Sequence, residues 1–200
     1  MKALPAHVAS KVYAAAELLA DQGLDNTKIE DIAEATGIPI STLYYHFRGK
    51  EEILAFLLKD VLTAIAAEVG VAVESGGTAR ERLSRVMRAQ LQVMLQNPAL
   101  CRALIGDLGR ATRLPELAAA LSAAFYQPVE QLLRDGADDG SLRSTEDPLS
   151  EAILIFGTVT IAGLMEAIMR TNRDVETIAS AATRLLFEGL APNPNTQINQ

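Results

Sequence analysis

The sequence predicts an all-α protein of about nine helices, a small reading domain followed by a larger helical one. Three observations carry this. Apolar residues recur at helical spacing through nearly every segment, there is no alternating strand or hairpin pattern, and Gly and Pro punctuate the chain where helices of ordinary length would end. With 49% hydrophobic residues over 200 positions a sizeable core can form.

The elements follow in order. Val8, Val12, Ala15 and Leu19 mark a first helix, with Gly23 as its stop. Thr27 and Glu30, three apart, read as a capping box that opens a second helix, in which Ile29, Ile32 and Ala33 face inward and Gly37 ends the run. Pro39 suits the start of a third helix, with Leu43 and Phe47 as its inward pair. A fourth helix runs from about Lys50 toward Val69, with Glu51 and Glu52 at its positive end. After the Ser75–Thr78 loop, Leu83, Val86, Met87, Leu91 and Met94 define a fifth, closed by Asn97-Pro98. A short piece spans Ala99–Asp107. A helix from Leu114 to about Arg134 contains Pro128 as an expected kink. Two last helices follow, over 148–170 and 174–190, and 192–200 reads as a polar, disordered tail. The expected division is 1–50 for the reading domain, 51–191 for a ligand-binding and dimerisation domain, and the tail.

Net charge is −7 and the pI about 4.9, which excludes a protein that coats nucleic acid indiscriminately. The positive charge is local: residues 38–50 hold Arg48 and Lys50 and no acid. A single cysteine, Cys101, forbids a disulfide framework within the chain and suits a reducing, cytoplasmic setting, and no signal segment opens the sequence.

The stretch Thr42-Leu43-Tyr44-Tyr45-His46-Phe47-Arg48-Gly49-Lys50 is the most specific signal. Adjacent residues on a helix cannot both point inward, so with Leu43 and Phe47 buried, Ile40, Ser41, Tyr44 and Tyr45 form an outward face of a size and chemistry that suits the major groove. His46 and Lys50 are candidate phosphate contacts. His46 has no histidine partner near it for metal binding, His7 being on another helix.

With Thr27-x-x-Glu30-Asp31-Ile32-Ala33, Gly37-Ile38, Ser41-Thr42-Leu43-Tyr44-Tyr45-His46-Phe47 and Lys50-Glu51-Glu52-Ile53-Leu54, residues 6–58 resemble the tetracycline-repressor (TetR) family of dimeric bacterial transcription regulators. Pro39 and Lys28 depart from the family pattern. The resemblance implies a DNA-binding set of Thr27, Lys28, Ile40, Ser41, Thr42, Tyr44, Tyr45, His46 and Lys50, an inverted-repeat operator, and release from it by a small molecule, most simply as a repressor.

The helix near 148–170 is apolar almost all round, so both its sides need cover. Its apolar run between Glu151 and Glu166 reads as too short for a bilayer, and no membrane association is expected. A homodimer through the last two helices, with Gly157 and Gly163 allowing close approach, is the simplest cover. Met87, Leu91, Met94, Cys101, Leu104, Ile105, Phe125, Tyr126 and Phe156 are candidate walls of an apolar effector cavity, and Arg102, Asp107, Arg110 and Arg113 candidate polar contacts. A solidly packed interior would instead favour a repressor that needs no ligand. No metal-ligand spacing, phosphate loop or nucleophile–base pair is visible, so neither an enzyme nor a cofactor is expected. The alternative reading is a helical small-molecule-binding protein or bundle enzyme without a DNA role.

Overall fold

A computed structural model describes residues 4–106 and 115–190, all helical where regular. The order is α1 (Ala6–Val12), α2 (Ala15–Asn26), α3 (Ile29–Thr36), α4 (Ile40–His46), α5 (Lys50–Glu74), α6 (Ala79–Gln96), α7 (Pro98–Gly106), α8 (Pro115–Leu121), a π turn (Ser122–Tyr126), α9 (Gln127–Asp138), α10 (Pro148–Met169) and α11 (Val175–Glu188). The expected tail and Asp107, Arg110 and Arg113 lie outside the described residues.

The first expected helix is divided. The chain turns at Tyr13 and Ala14, and Gly23 takes φ 73°, ψ 159° inside α2, so the glycine bends that segment and Asn26 ends it. Gly37 stops α3 in the left-handed region at φ 62°, as a helix-terminating glycine should. Val12, Leu19, Leu24, Ile32, Leu43 and Phe47 form the small core beneath the reading helix, and it is continuous with Ile53, Leu54 and Leu57 at the start of α5.

The long α5 packs along α6, and α6 in turn supports α10 and α11. Thr78 caps α6 with a reciprocal bond pair to Glu81. The Asp139 carboxylate, sixty residues on, also accepts the Ala79 N–H at 2.8 Å. The Ser141 hydroxyl first, then the Ala79 and Ser141 N–H groups, hold its pKa below the ordinary carboxylate value.

Pro128 produces a π turn where a kink was expected. Having no N–H, it cannot continue the i→i−4 ladder, and the preceding Gln127 N–H reaches back to the Ser122 carbonyl. That turn carries Phe125 and Tyr126 against Phe156 of α10, with ring centroids 5.2 and 5.5 Å apart.

Candidate nucleic-acid interface

The reading helix presents the face its sequence predicts. Leu43 and Phe47 are buried, whereas Tyr44 and Tyr45 are 56% and 62% exposed, beside exposed Ser41 and Ile40. Thr42 and His46 are half-buried at its edges, and the His46 ring stands edge-on to Tyr45, centroids 4.9 Å apart. The buried Thr36 hydroxyl, which donates to the Ile32 carbonyl and accepts the Ile38 N–H, fixes the turn that sets α4 against α3. Arg48 projects into solvent, its side chain 91% exposed, with Glu52 3.6 Å away.

At the edges of this face the structure gives three expected groups other partners. Thr27 is fully buried; its hydroxyl donates to the Gly23 carbonyl at 2.8 Å and is not turned toward a phosphate. It does not form the expected capping box with Glu30 either. Lys28 is the N-cap residue, exposed, and its N–H donates to the Asp31 carboxylate at 2.8 Å, so the cap sits one residue later than the sequence suggested. The Lys50 ammonium, placed as a phosphate partner, donates to the backbone carbonyls of Asp25 and Thr27 at 3.1 and 2.9 Å. It places a positive charge on the carbonyls at the end of α2 and locks α5 to the reading domain. Sequence reasoning missed this because those carbonyls come near Lys50 only through the fold.

A second tie joins the two domains. Arg102 on α7 donates to Glu17 and Asp21 of α2 at 2.6 and 3.2 Å. It was a candidate ligand contact; instead it fastens α7, a wall of the larger domain's interior, to the reading domain.

Among the described residues that interior is tightly packed. Met87, Leu91, Met94, Cys101, Phe125 and Phe156 are buried against one another, Ile105 and Tyr126 partly so, and the Leu104 side chain lies outside what is described. Among the described residues, the space lined by α5, α6, α7 and α10 admits about 10 Å³, room for about one water. Unbranched Met and flat aromatic rings fill the gap that counting side chains cannot reveal. Burial pushes the Cys101 thiol up to about 12, which keeps it protonated and unreactive. A groove of about 290 Å³ opens elsewhere, at the end of the bundle away from the reading domain, where Arg80 lies over the Phe187 ring at 4.9 Å. No periodicity in the sequence pointed to it.

The outer face of α10 is the other exposed apolar surface. Ile153, Leu154, Ile161, Met165, Ile168 and Met169 are 38–66% exposed and are continued by Leu185 of α11 at 42%. Gly157 falls on this stripe with nothing near its missing Cβ. Gly163 does not: a Cβ there would meet the Met94 methyl at 3.3 Å, so this glycine serves inward packing on α6 and not a partner. By length and composition α10, 22 residues long, could cross a bilayer, contrary to the expectation of too short a run. Its other face is packed on α6 and α9 with buried Val159 and Thr160, and its buried Glu166 accepts from Thr171 and Arg173.

An exposed tyrosine-bearing second helix on a glycine-turned pair, joined to a helical domain with an uncovered apolar face, defines a helix-turn-helix DNA-binding regulator. The chain belongs to the TetR family: its residues 12–56 match the profile described as bacterial regulatory proteins, tetR family, and 76–162 that described as a tetracyclin repressor-like C-terminal domain. It is 21% identical over 180 residues to the fatty acid metabolism regulator protein of Bacillus subtilis, covering 90% of this chain and 93% of that one. It is 27% identical to the transcriptional repressor KstR2 of Rhodococcus jostii, covering 90% and 89%. Among solved structures, KstR2 of Mycobacterium tuberculosis shares the fold with a TM-score of 0.75 at 21% identity, covering 96% and 98%. The regulator FadR from Bacillus subtilis, solved with stearoyl-CoA, does so with 0.71 at 20%, covering 90% and 98%. The protein is a ligand-responsive, DNA-binding transcriptional regulator of this family.

Proposed function

We propose that this chain is a dimeric cytoplasmic repressor that binds an inverted-repeat operator through Ile40, Ser41, Tyr44 and Tyr45 and leaves it when an apolar acyl thioester enters the C-terminal domain. The observation that carries the DNA reading is the split of α4, with Leu43 and Phe47 inside and both tyrosines outside. The α10–α11 stripe supports the dimer, because contiguous exposed aliphatic side chains mark a protein interface. Two copies then hold two reading heads at one fixed separation.

The acyl-thioester class is supported by the relatives, named for fatty acid metabolism, one of them solved with stearoyl-CoA. The route to the DNA follows from the contacts. A ligand that enlarges the small cavity displaces Cys101 and Ile105 on α7, and Arg102 on the same helix transmits the displacement to Glu17 and Asp21 on α2. The heads move apart, and both half-sites can no longer be engaged together.

The test is selection of a preferred site from random DNA, followed by its release with stearoyl-CoA. An enriched inverted repeat that stearoyl-CoA frees supports the whole reading. No enriched sequence overturns the DNA role. An enriched site that neither stearoyl-CoA nor apolar compounds release leaves a repressor that needs no ligand.

A further inference from the structure

Gln90, on α6, is fully buried in the middle of the larger domain. Its Nε2 donates to the Thr160 hydroxyl of α10 at 2.7 Å. Its Oε1 is buried and has no hydrogen-bond partner among the described residues. The same side chain lines the small cavity, whose other walls are Ile65, Met94, Cys101, Ile105, Phe156 and Thr160. A buried acceptor left unmade is costly, and an apolar side chain of similar length would fill this place without that cost. Of the donors on the described walls, neither the Cys101 thiol nor the Thr160 hydroxyl bonds to it.

We propose that Gln90 is the polar anchor of the effector site, its Oε1 accepting a hydrogen bond from a neutral N–H or O–H on an otherwise apolar ligand. This rests on the reading above that the C-terminal domain takes an apolar acyl thioester, and adds the group that orients it. The donor is neutral because no charged side chain among the described residues lines the cavity. Two sources share this chemistry: an amide N–H of the pantetheine arm, or a hydroxyl on the acyl chain itself. Space comes from Met94, whose flexible thioether lies against the missing Cβ of Gly163 and can swing aside. Cys101 and Ile105 on the facing wall stand on either side of Arg102, so a ligand held by Gln90 bears on the helix that grips α2.

The experiment titrates the full-length protein and its Gln90→Met and Thr160→Val variants with stearoyl-CoA and with a hydroxystearoyl-CoA bearing its hydroxyl mid-chain. Unliganded melting temperatures are measured alongside. Gln90→Met should melt no lower than the wild type, since it removes an unmet acceptor, yet bind more weakly by roughly tenfold or more. Equal losses for both probes place the donor on the pantetheine arm; a loss confined to the hydroxylated probe places it on the chain. Thr160→Val keeps Oε1 but frees the amide to rotate, and should cost about threefold. Equal affinities for wild type and Gln90→Met overturn the anchor and leave Oε1 serving a trapped water only. Should Gln90→Met fail to fold, unchanged affinities in Thr160→Val overturn it. If neither probe binds the wild type, the acyl-thioester reading itself fails and takes the anchor with it, an outcome distinct from binding that ignores residue 90.

Discussion

The exposed apolar groups of α4 and of α10 differ in what they carry. On α4 the exposed side chains are Tyr44 and Tyr45, rings that end in hydroxyls, beside Ser41 and the solvent-borne Arg48. On α10 they are Ile153, Leu154, Ile161 and Met165, with no polar end at all. A groove of nucleic acid offers phosphates, base edges and thymine methyls, which a tyrosine can meet with both ring and hydroxyl. A second protein surface of the same kind offers only burial, which aliphatic groups meet without leaving a polar atom unpaired. In the proposed function both faces bind, and the presence or absence of a polar tip separates the partners.

The sharpest way to break this contrast is to place a charge on the aliphatic stripe. Ile161→Glu should leave the single chain folded, because residue 161 is half exposed there. Burying that charge between two copies would cost several kcal/mol, so sedimentation should show monomers at micromolar concentration. Operator affinity should fall by about a hundredfold or more as the second half-site contact is lost. Tyr45→Ala should leave the dimer intact and cost about 1–3 kcal/mol on the preferred site with less effect on random DNA, read by competition binding.

Lys50→Ala tests how far the reading face extends. With its ammonium on the Asp25 and Thr27 carbonyls, removal should lower the melting temperature, by about 1 kcal/mol of stability for a partly exposed charged bond, and leave the salt dependence of DNA binding unchanged. A salt slope reduced by about one would instead make Lys50 a phosphate contact.

The smallest effect is that of pH. The carboxylates of Asp139, Asp147, Asp174, Glu166 and Glu176 all titrate below their ordinary values, chiefly through hydrogen bonds from Ser141, Ser150, Thr177, Thr171 and Arg88 respectively. A depressed folded-state pKa stabilises above the unfolded value and is lost as pH falls through the folded one. Thermal melts should therefore be flat near neutrality and decline on acidification below the ordinary carboxylate range.

The reading domain was legible because its signals are local. Gly37, Pro39 and the Leu43–Phe47 pair act within a turn or two of themselves, and the structure places each as expected. What the sequence concealed depends on contacts between distant residues. Lys50 meets carbonyls more than twenty positions earlier, and Arg102 meets acids more than eighty positions earlier. Gly163 and Gly157 look alike in sequence, yet one packs on Met94 and the other lies on the outer stripe. Whether the effector interior is open was not legible, because side-chain volume and the path of the backbone, not residue type, decide whether apolar walls touch.

The central claim is that α4 and the α10–α11 stripe work together, one reading a half-site and the other fixing the distance to its twin. Sedimentation of the protein bound to a DNA fragment selected by it measures this most directly. Two chains on one inverted repeat, reduced to weak single-chain binding by Ile161→Glu, is the predicted result. A single wild-type chain bound tightly to a site without two-fold symmetry would contradict it.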